Sequence, residues 1–268
     1  MPVEQLEDRV ILKHPHGAST EILYYGATLI SWKTGGTERL FLSSKAALDG
    51  SKPEHMKLSQ HGFARSERWT YDSIVMDNNA GISVRLILGP TTQIASKYEP
   101  KFTLAYVVTL AEHQLSTDLH VCNPPESSKD LEFQALLHTY HRVPAALVRI
   151  TPLQNVGYYD KTQATDEAKS VRRIETRAEV DVHKFTDFVY ENVPGDYTVA
   201  WPDGKTTIKT KGFSNVVVWN PREEGKKIGD MEEGGWERFV CVEPGYVRGF
   251  LKISPGEKWI GQQTLTIV

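Results

Sequence analysis

Several common constraints are missing from this chain. It has two cysteines in 268 residues, Cys122 and Cys241, so at most one disulfide and no disulfide framework. Both lie in apolar, strand-like runs, LHVCN and FVCVE, and read as buried free thiols of a reducing compartment. No charge of one sign dominates: 31 basic residues stand against 34 acidic ones, for a formal net charge of -3. Without a block of like charge there is no electrostatic footprint for nucleic acid or a membrane surface. No uninterrupted apolar run approaches the ~20 residues that a membrane helix needs. The N-terminal stretch MPVEQLEDRV is charged and lacks the apolar centre of a signal peptide. These absences predict a cytoplasmic protein. P-loop, GxGxxG, HExxH, GxSxG and paired CxxC patterns are also absent, which argues against nucleotide-binding, zinc-protease and serine-hydrolase readings.

What is present is period-two alternation. TEILYYG (20–26) and ATLISWK (27–33) read as strands around Gly26, with RLFLS (39–43) a third short run. WTYDSIVM (69–76) and ISVRLIL (82–88) flank the turn signal DNNAG, and Ile82, Val84, Leu86 and Leu88 share one face. FTLAYVVTL (102–110) and LSTDLHV (115–121) flank the hairpin-length loop AEHQ. LEFQALLHTYHRV (131–143) reads as one long strand with room for a bulge. QATDEAKSVRRIETR (163–177) has room for a helical turn, but its polarity favours an exposed loop. DFVYENV, YTVAW, TTIKT, SNVVVWN, RFVCVEP, GFLKI and the terminal KWIGQQTLTIV resume the strand pattern. Many short strands, no long amphipathic helix and no linker predict one all-β domain over residues 1–268, a sandwich or barrel.

Three polar features sit oddly in these apolar runs. Glu243 follows FVCV at a strand end, where a carboxylate is expensive to bury unless it is paired or functional. A surface strand end is an equally good account of it. His138 lies in LLHTYHR, where a strand histidine with a satisfied hydrogen bond is the plainer account. QHGFAR (60–65) packs Gln60, His61 and Arg65 around Gly62; a surface loop is again the plainer account, although Arg65 is suited to a carboxylate or phosphate. Metal pairs are not evident. His14 and His16 lie in a polar loop and read as surface, and His138 and His141, three apart on a strand, point to opposite faces.

Taken together and in order, DGSKP (49–53), QHGFAR (60–65), LLHTYHR (136–142), TDFVYENV (186–193), VVVWNP (216–221) and VCVEPG (240–245) resemble the aldose 1-epimerase (mutarotase) superfamily. The resemblance is strongest to its hexose-6-phosphate branch and covers nearly the whole chain. It implies a large antiparallel β-sandwich and an isomerase without cofactor or metal. It matches His138 and Glu243 to the catalytic histidine and glutamate. Gln60 and Arg65 match substrate-contacting positions, with Arg65 on the phosphate. His61 matches a residue lining the sugar site, and Asp187 an aspartate holding sugar hydroxyls. The implied partner is a small sugar phosphate, with no nucleic acid, no membrane and a monomeric chain.

The implied reaction interconverts the α and β anomers of a hexose 6-phosphate, glucose 6-phosphate first among them. A base takes the anomeric hydroxyl proton while an acid protonates the ring oxygen; the opened sugar rotates about C1–C2 and recloses with the roles reversed. An ionised glutamate and a protonated histidine coexist between reference pKa values of about 4.3 and 6.5. One departure bears on substrate choice. Where the family continues from its SKP-like stretch into an arginine–glycine–glycine–isoleucine–proline segment and an apolar strand, this chain passes from Pro53 directly to Glu54. The second phosphate-contacting arginine goes with that segment. Two alternatives therefore stand beside the first reading: a catalytically weak or inactive sugar-binding β-sandwich, and a mutarotase for free aldoses.

Overall fold

The computed structural model of the chain describes residues 1–48 and 61–268. They fall into two compact units, each assembled from three stretches of chain: Met1–Thr37, Ala47–Phe133 and Leu251–Gln262 form the first, and Glu38–Ala46, Gln134–Phe250 and Gln263–Val268 the second.

The first unit opens with an antiparallel meander, Val3–Gln5, Arg9–Lys13, Ser19–Leu23 and Thr28–Thr34. Its first two strands lie in the charged N-terminal stretch, where alternation is too short to stand out. A second antiparallel run joins Thr70–Asn78, Gly81–Leu88, Thr103–Leu110 and Gln114–Cys122. The alternation expected at 82–88 holds, since Ile82, Val84, Leu86 and Leu88 are all buried. Two bulges interrupt the pairing of Thr70–Asn78 with its neighbour. Leu40 forms only an isolated bridge, so the short run expected at 39–43 is not a strand.

Phe239–Ile253, which belongs to the second unit up to Phe250, lies beside Asn215–Asn220, Thr186–Glu191, Gly157–Asp160 and Arg172–Ile174 of that unit, in that order. Tyr140–Arg142 pairs with the start of Phe239–Ile253. Arg149–Thr151, Asp196–Trp201 and Gly204–Lys211 pair antiparallel elsewhere in the unit. RFVCVEP and GFLKI, separate runs by sequence, belong to a single strand that continues through Gly249 at a positive φ of 79°. The polar stretch 163–177 is not all loop. It holds a helix, Asp166–Ser170, whose N-cap Thr165 accepts a hydrogen bond from the Ala168 amide, with Asp166 and Glu167 in the first turn.

Both cysteines are free, as expected; Cys241 is buried but Cys122 is only half-buried. Around Cys241 lie Phe41, Trp236 and Phe239, with Tyr140, Trp219 and Met231 packed against them.

Candidate active site

Strand register builds the site in the second unit. Tyr140 pairs with Cys241, Cys241 with Trp219, and Trp219 with Asp187. Residues directly opposite one another in antiparallel pairs project to the same face. Alternation along the strand adds Phe239 and Glu243 to that face, two residues either side of Cys241. One sheet face thus presents an aromatic floor and two carboxylates.

His138 reaches this face from a break in the chain. The long strand expected over 131–143 is two strands, Leu131–Leu136 and Tyr140–Arg142, and His138 lies between them rather than within a strand. The Leu137 amide donates to the Pro244 carbonyl at 3.0 Å, which fixes the break beside Glu243. The imidazole stacks on Tyr140 (ring centroids 4.7 Å apart, 7° between planes) and meets the edge of Trp219. Its Nδ1 lies 3.4 Å from Glu243 Oε1. The His138 side chain is 32% exposed and that of Glu243 only 5%, so the pair has one wet partner and one dry partner. His141, the other histidine of the motif, is buried and unconnected to the pair; burial pushes its pKa down to about 4.

Glu243 is held well above the usual carboxylate range. Its burial is the first cause and the nearby Asp187 charge the second. Asp187 is itself raised, by desolvation, against the lowering effect of Lys161 and with a further push from Asp160. The Asp187 charge therefore disfavours ionisation of Glu243 in a poorly solvated place, a combination typical of functional groups. Cys241, Tyr140 and Trp219 complete the surroundings. Sequence reasoning gave none of them a place here, although alternation from Glu243 puts Cys241 on its face.

The QHGFAR loop lies in the first unit. Arg65 sits in the short 3-10 turn Ala64–Ser66 and is exposed. Close backbone packing holds the turn. The Gly26 amide donates to the Glu67 carbonyl and the Trp69 amide to the Tyr24 carbonyl, while the Trp69 indole donates to the Ala64 carbonyl at 2.8 Å. Gly26, at a φ of 67°, lies so close to the Arg65 carbonyl that a side chain would collide with it. His61 adjoins Arg65; desolvation and then the Arg65 charge lower its pKa. Gln60, and the Pro53–Glu54 junction where the family segment is missing, lie outside the described residues.

The described residues also include one group with metal-ligand chemistry. His138, Cys241 and Glu243 bring donor atoms within 4.8 Å of one another.

Comparison with solved structures identifies the fold. YeaD of Salmonella typhimurium superposes with a TM-score of 0.85 over 99% of this chain and 92% of its own, at 22% identity. Galactose 1-epimerase of Lactobacillus acidophilus NCFM superposes with a TM-score of 0.73 over 100% and 97%, at 14% identity. The fold is the expected one, the antiparallel β-sandwich of galactose-mutarotase-like proteins. The family follows from sequence: residues 49–266 match the aldose 1-epimerase family, and the chain belongs to it. Proteins of Cenchrus ciliaris and Escherichia coli K12 are 28% and 29% identical, over 97% and 92% of this chain and 85% and 86% of theirs. Both bear the name "Putative glucose-6-phosphate 1-epimerase".

Proposed function

We propose that the protein interconverts the α and β anomers of a hexose 6-phosphate, with glucose 6-phosphate as the preferred substrate. The observation that carries this reading is the approach of His138 Nδ1 to 3.4 Å from the buried Glu243 carboxylate. The two oxygens that must exchange protons, the anomeric hydroxyl and the ring oxygen, sit on one carbon, so two adjacent side chains can serve both.

Glu243 takes the anomeric proton as His138 protonates the ring oxygen. The C1–O5 bond opens to an aldehyde, C1–C2 rotates, and closure on the other carbonyl face runs the transfers in reverse. The pair needs one proton in total. Burial favours the neutral form of Glu243. With that proton on His138, 3.4 Å away, the pair has the ionised glutamate and protonated histidine that start the reaction. A raised carboxylate is also the stronger base, closer to the working pH.

Asp187, in register with Trp219 on the same sheet face, accepts hydrogen bonds from sugar hydroxyls. The family resemblance assigns Arg65 to the phosphate and Gln60 and His61 to the sugar. The two compact units act as one domain of 1–268, because the chain passes between them repeatedly. The protein works as a monomer in the cytoplasm.

The test is polarimetric equilibration of freshly dissolved α-glucose 6-phosphate, with α-glucose in parallel. Catalysis faster on the phosphate supports the reading. Equal or greater catalysis on glucose makes the protein a mutarotase of free aldoses, and no rate above buffer makes it a binding protein.

A further inference from the structure

The donor set His138, Cys241 and Glu243 has a property that acid–base catalysis does not use. The nitrogen, sulfur and oxygen lie within 4.8 Å of one another. The His138–Glu243 edge, at 3.4 Å, already matches the roughly 3.3–3.8 Å between ligand atoms of a tetrahedral zinc site, as its bond lengths of about 2.0–2.3 Å require. The Cys241 sulfur, no more than 4.8 Å from either of the other two donors, has to approach them by up to roughly 1 Å. Among the described residues Glu243 has one charged partner, His138, so its buried carboxylate is available to an ion. The partly exposed His138 imidazole gives access from solvent. We propose that these three side chains form an inhibitory site for thiophilic divalent cations of the zinc and cadmium class.

Three protein ligands leave one coordination position for water or a sugar oxygen. On binding, the thiol proton, and any proton on Glu243, passes to the buffer, and the sulfur binds as thiolate. The ion then occupies the His138 nitrogen and the Glu243 carboxylate together and stops proton transfer. Thiolate and imidazole favour soft and borderline ions, so magnesium and calcium, which prefer oxygen donors, are excluded. Cys241 sets that selectivity from the floor of the site. The inhibitory effect rests on the epimerase reading; the binding of the ion does not.

The test combines two readouts on the metal-free full chain. The first is ultraviolet absorption during cadmium titration, where a thiolate–cadmium charge-transfer band reports on sulfur coordination without any turnover. The parent develops the band at one equivalent, and magnesium produces none. Cys241→Ser loses the band, and zinc affinity by calorimetry falls by about 10–100-fold, at least the loss caused by removing an outer-shell partner. Cys122→Ser keeps both, which excludes the other thiol. The second readout is glucose 6-phosphate anomerisation: zinc slows the parent, a chelator restores it, and zinc slows Cys241→Ser far less relative to that variant's own rate. A parent without the band, or a band lost with Cys122, overturns the site. A band with unimpaired turnover overturns the inhibition. A band in a parent without metal-free turnover leaves the site standing and removes the epimerase reading.

Discussion

Glu243→Gln separates catalytic from structural demands on one buried side chain. The substitution changes neither volume nor shape appreciably, so no cavity is created. It removes the base. A positioned proton-transfer group contributes about 10²–10⁴-fold, so anomerisation of glucose 6-phosphate should slow by that factor, corresponding to about 3–5 kcal/mol of transition-state stabilisation. Stability should move the other way. The folded pKa of Glu243 is raised, by burial and then by Asp187. Above the unfolded value near pH 4.5, folding must therefore take up a proton that the unfolded chain has lost. That penalty grows as pH climbs from the unfolded towards the folded pKa, and glutamine does not incur it. At neutral pH the variant should be the more stable form, and below about pH 4 the two should converge. Urea midpoints at pH 4 and pH 7, with polarimetry on the same samples, provide both readouts. A variant as fast as the parent refutes the role of Glu243 as base. A variant less stable at pH 7 than at pH 4, relative to the parent, refutes the raised pKa of the buried carboxyl.

Three further outcomes are expected. Gly26→Ala places a methyl against the Arg65 carbonyl at a φ of 67° and should cost about 1–3 kcal/mol or more in the urea midpoint. By displacing the Arg65 turn it should raise KM for the sugar phosphate more than for glucose, and an unchanged KM would detach Arg65 from phosphate binding. Burial would raise the Glu175 pKa, but bonds from Arg177 and the Tyr190 hydroxyl more than offset this and leave it lowered. That stability is complete above about pH 4.5 and is lost as pH falls through the folded pKa. Glu175→Gln should therefore flatten the acid limb of the stability curve and, at neutral pH, cost about 1–3 kcal/mol through the charged hydrogen bonds it weakens. Asp187→Asn removes a charge that raises the Glu243 pKa, so the stability penalty on Glu243 should level off at lower pH and at a smaller value, and KM for the sugar should rise.

The all-β class was legible because alternation is a local signal. Ile82, Val84, Leu86 and Leu88 announce a buried face by themselves. The helix Asp166–Ser170 was only allowed for, as a helical turn within a loop, because its short polar turn is decided by the Thr165 cap rather than by hydrophobic period. The N-terminal strands Val3–Gln5 and Arg9–Lys13 were hidden by charge. The continuous strand Phe239–Ile253 was hidden by its glycines and proline. For the site, Glu243 and His138 drew attention as polar groups among apolar neighbours. Tyr140, Trp219 and Cys241 did not, because their meeting depends on register between strands far apart in sequence. His138 also needed a break in its strand to reach Glu243, and no feature of LLHTYHR beyond the room for a bulge signals that break.

The central claim is that His138 and Glu243 form a proton-transfer pair acting on a phosphorylated sugar. Its most direct test is exchange NMR between the two anomers of glucose 6-phosphate at equilibrium, which measures interconversion in both directions without a coupled enzyme. Cross-peaks that grow with parent concentration, and vanish in both His138→Asn and Glu243→Gln, are the predicted result. Exchange no faster than in buffer, or equal in either variant, contradicts it.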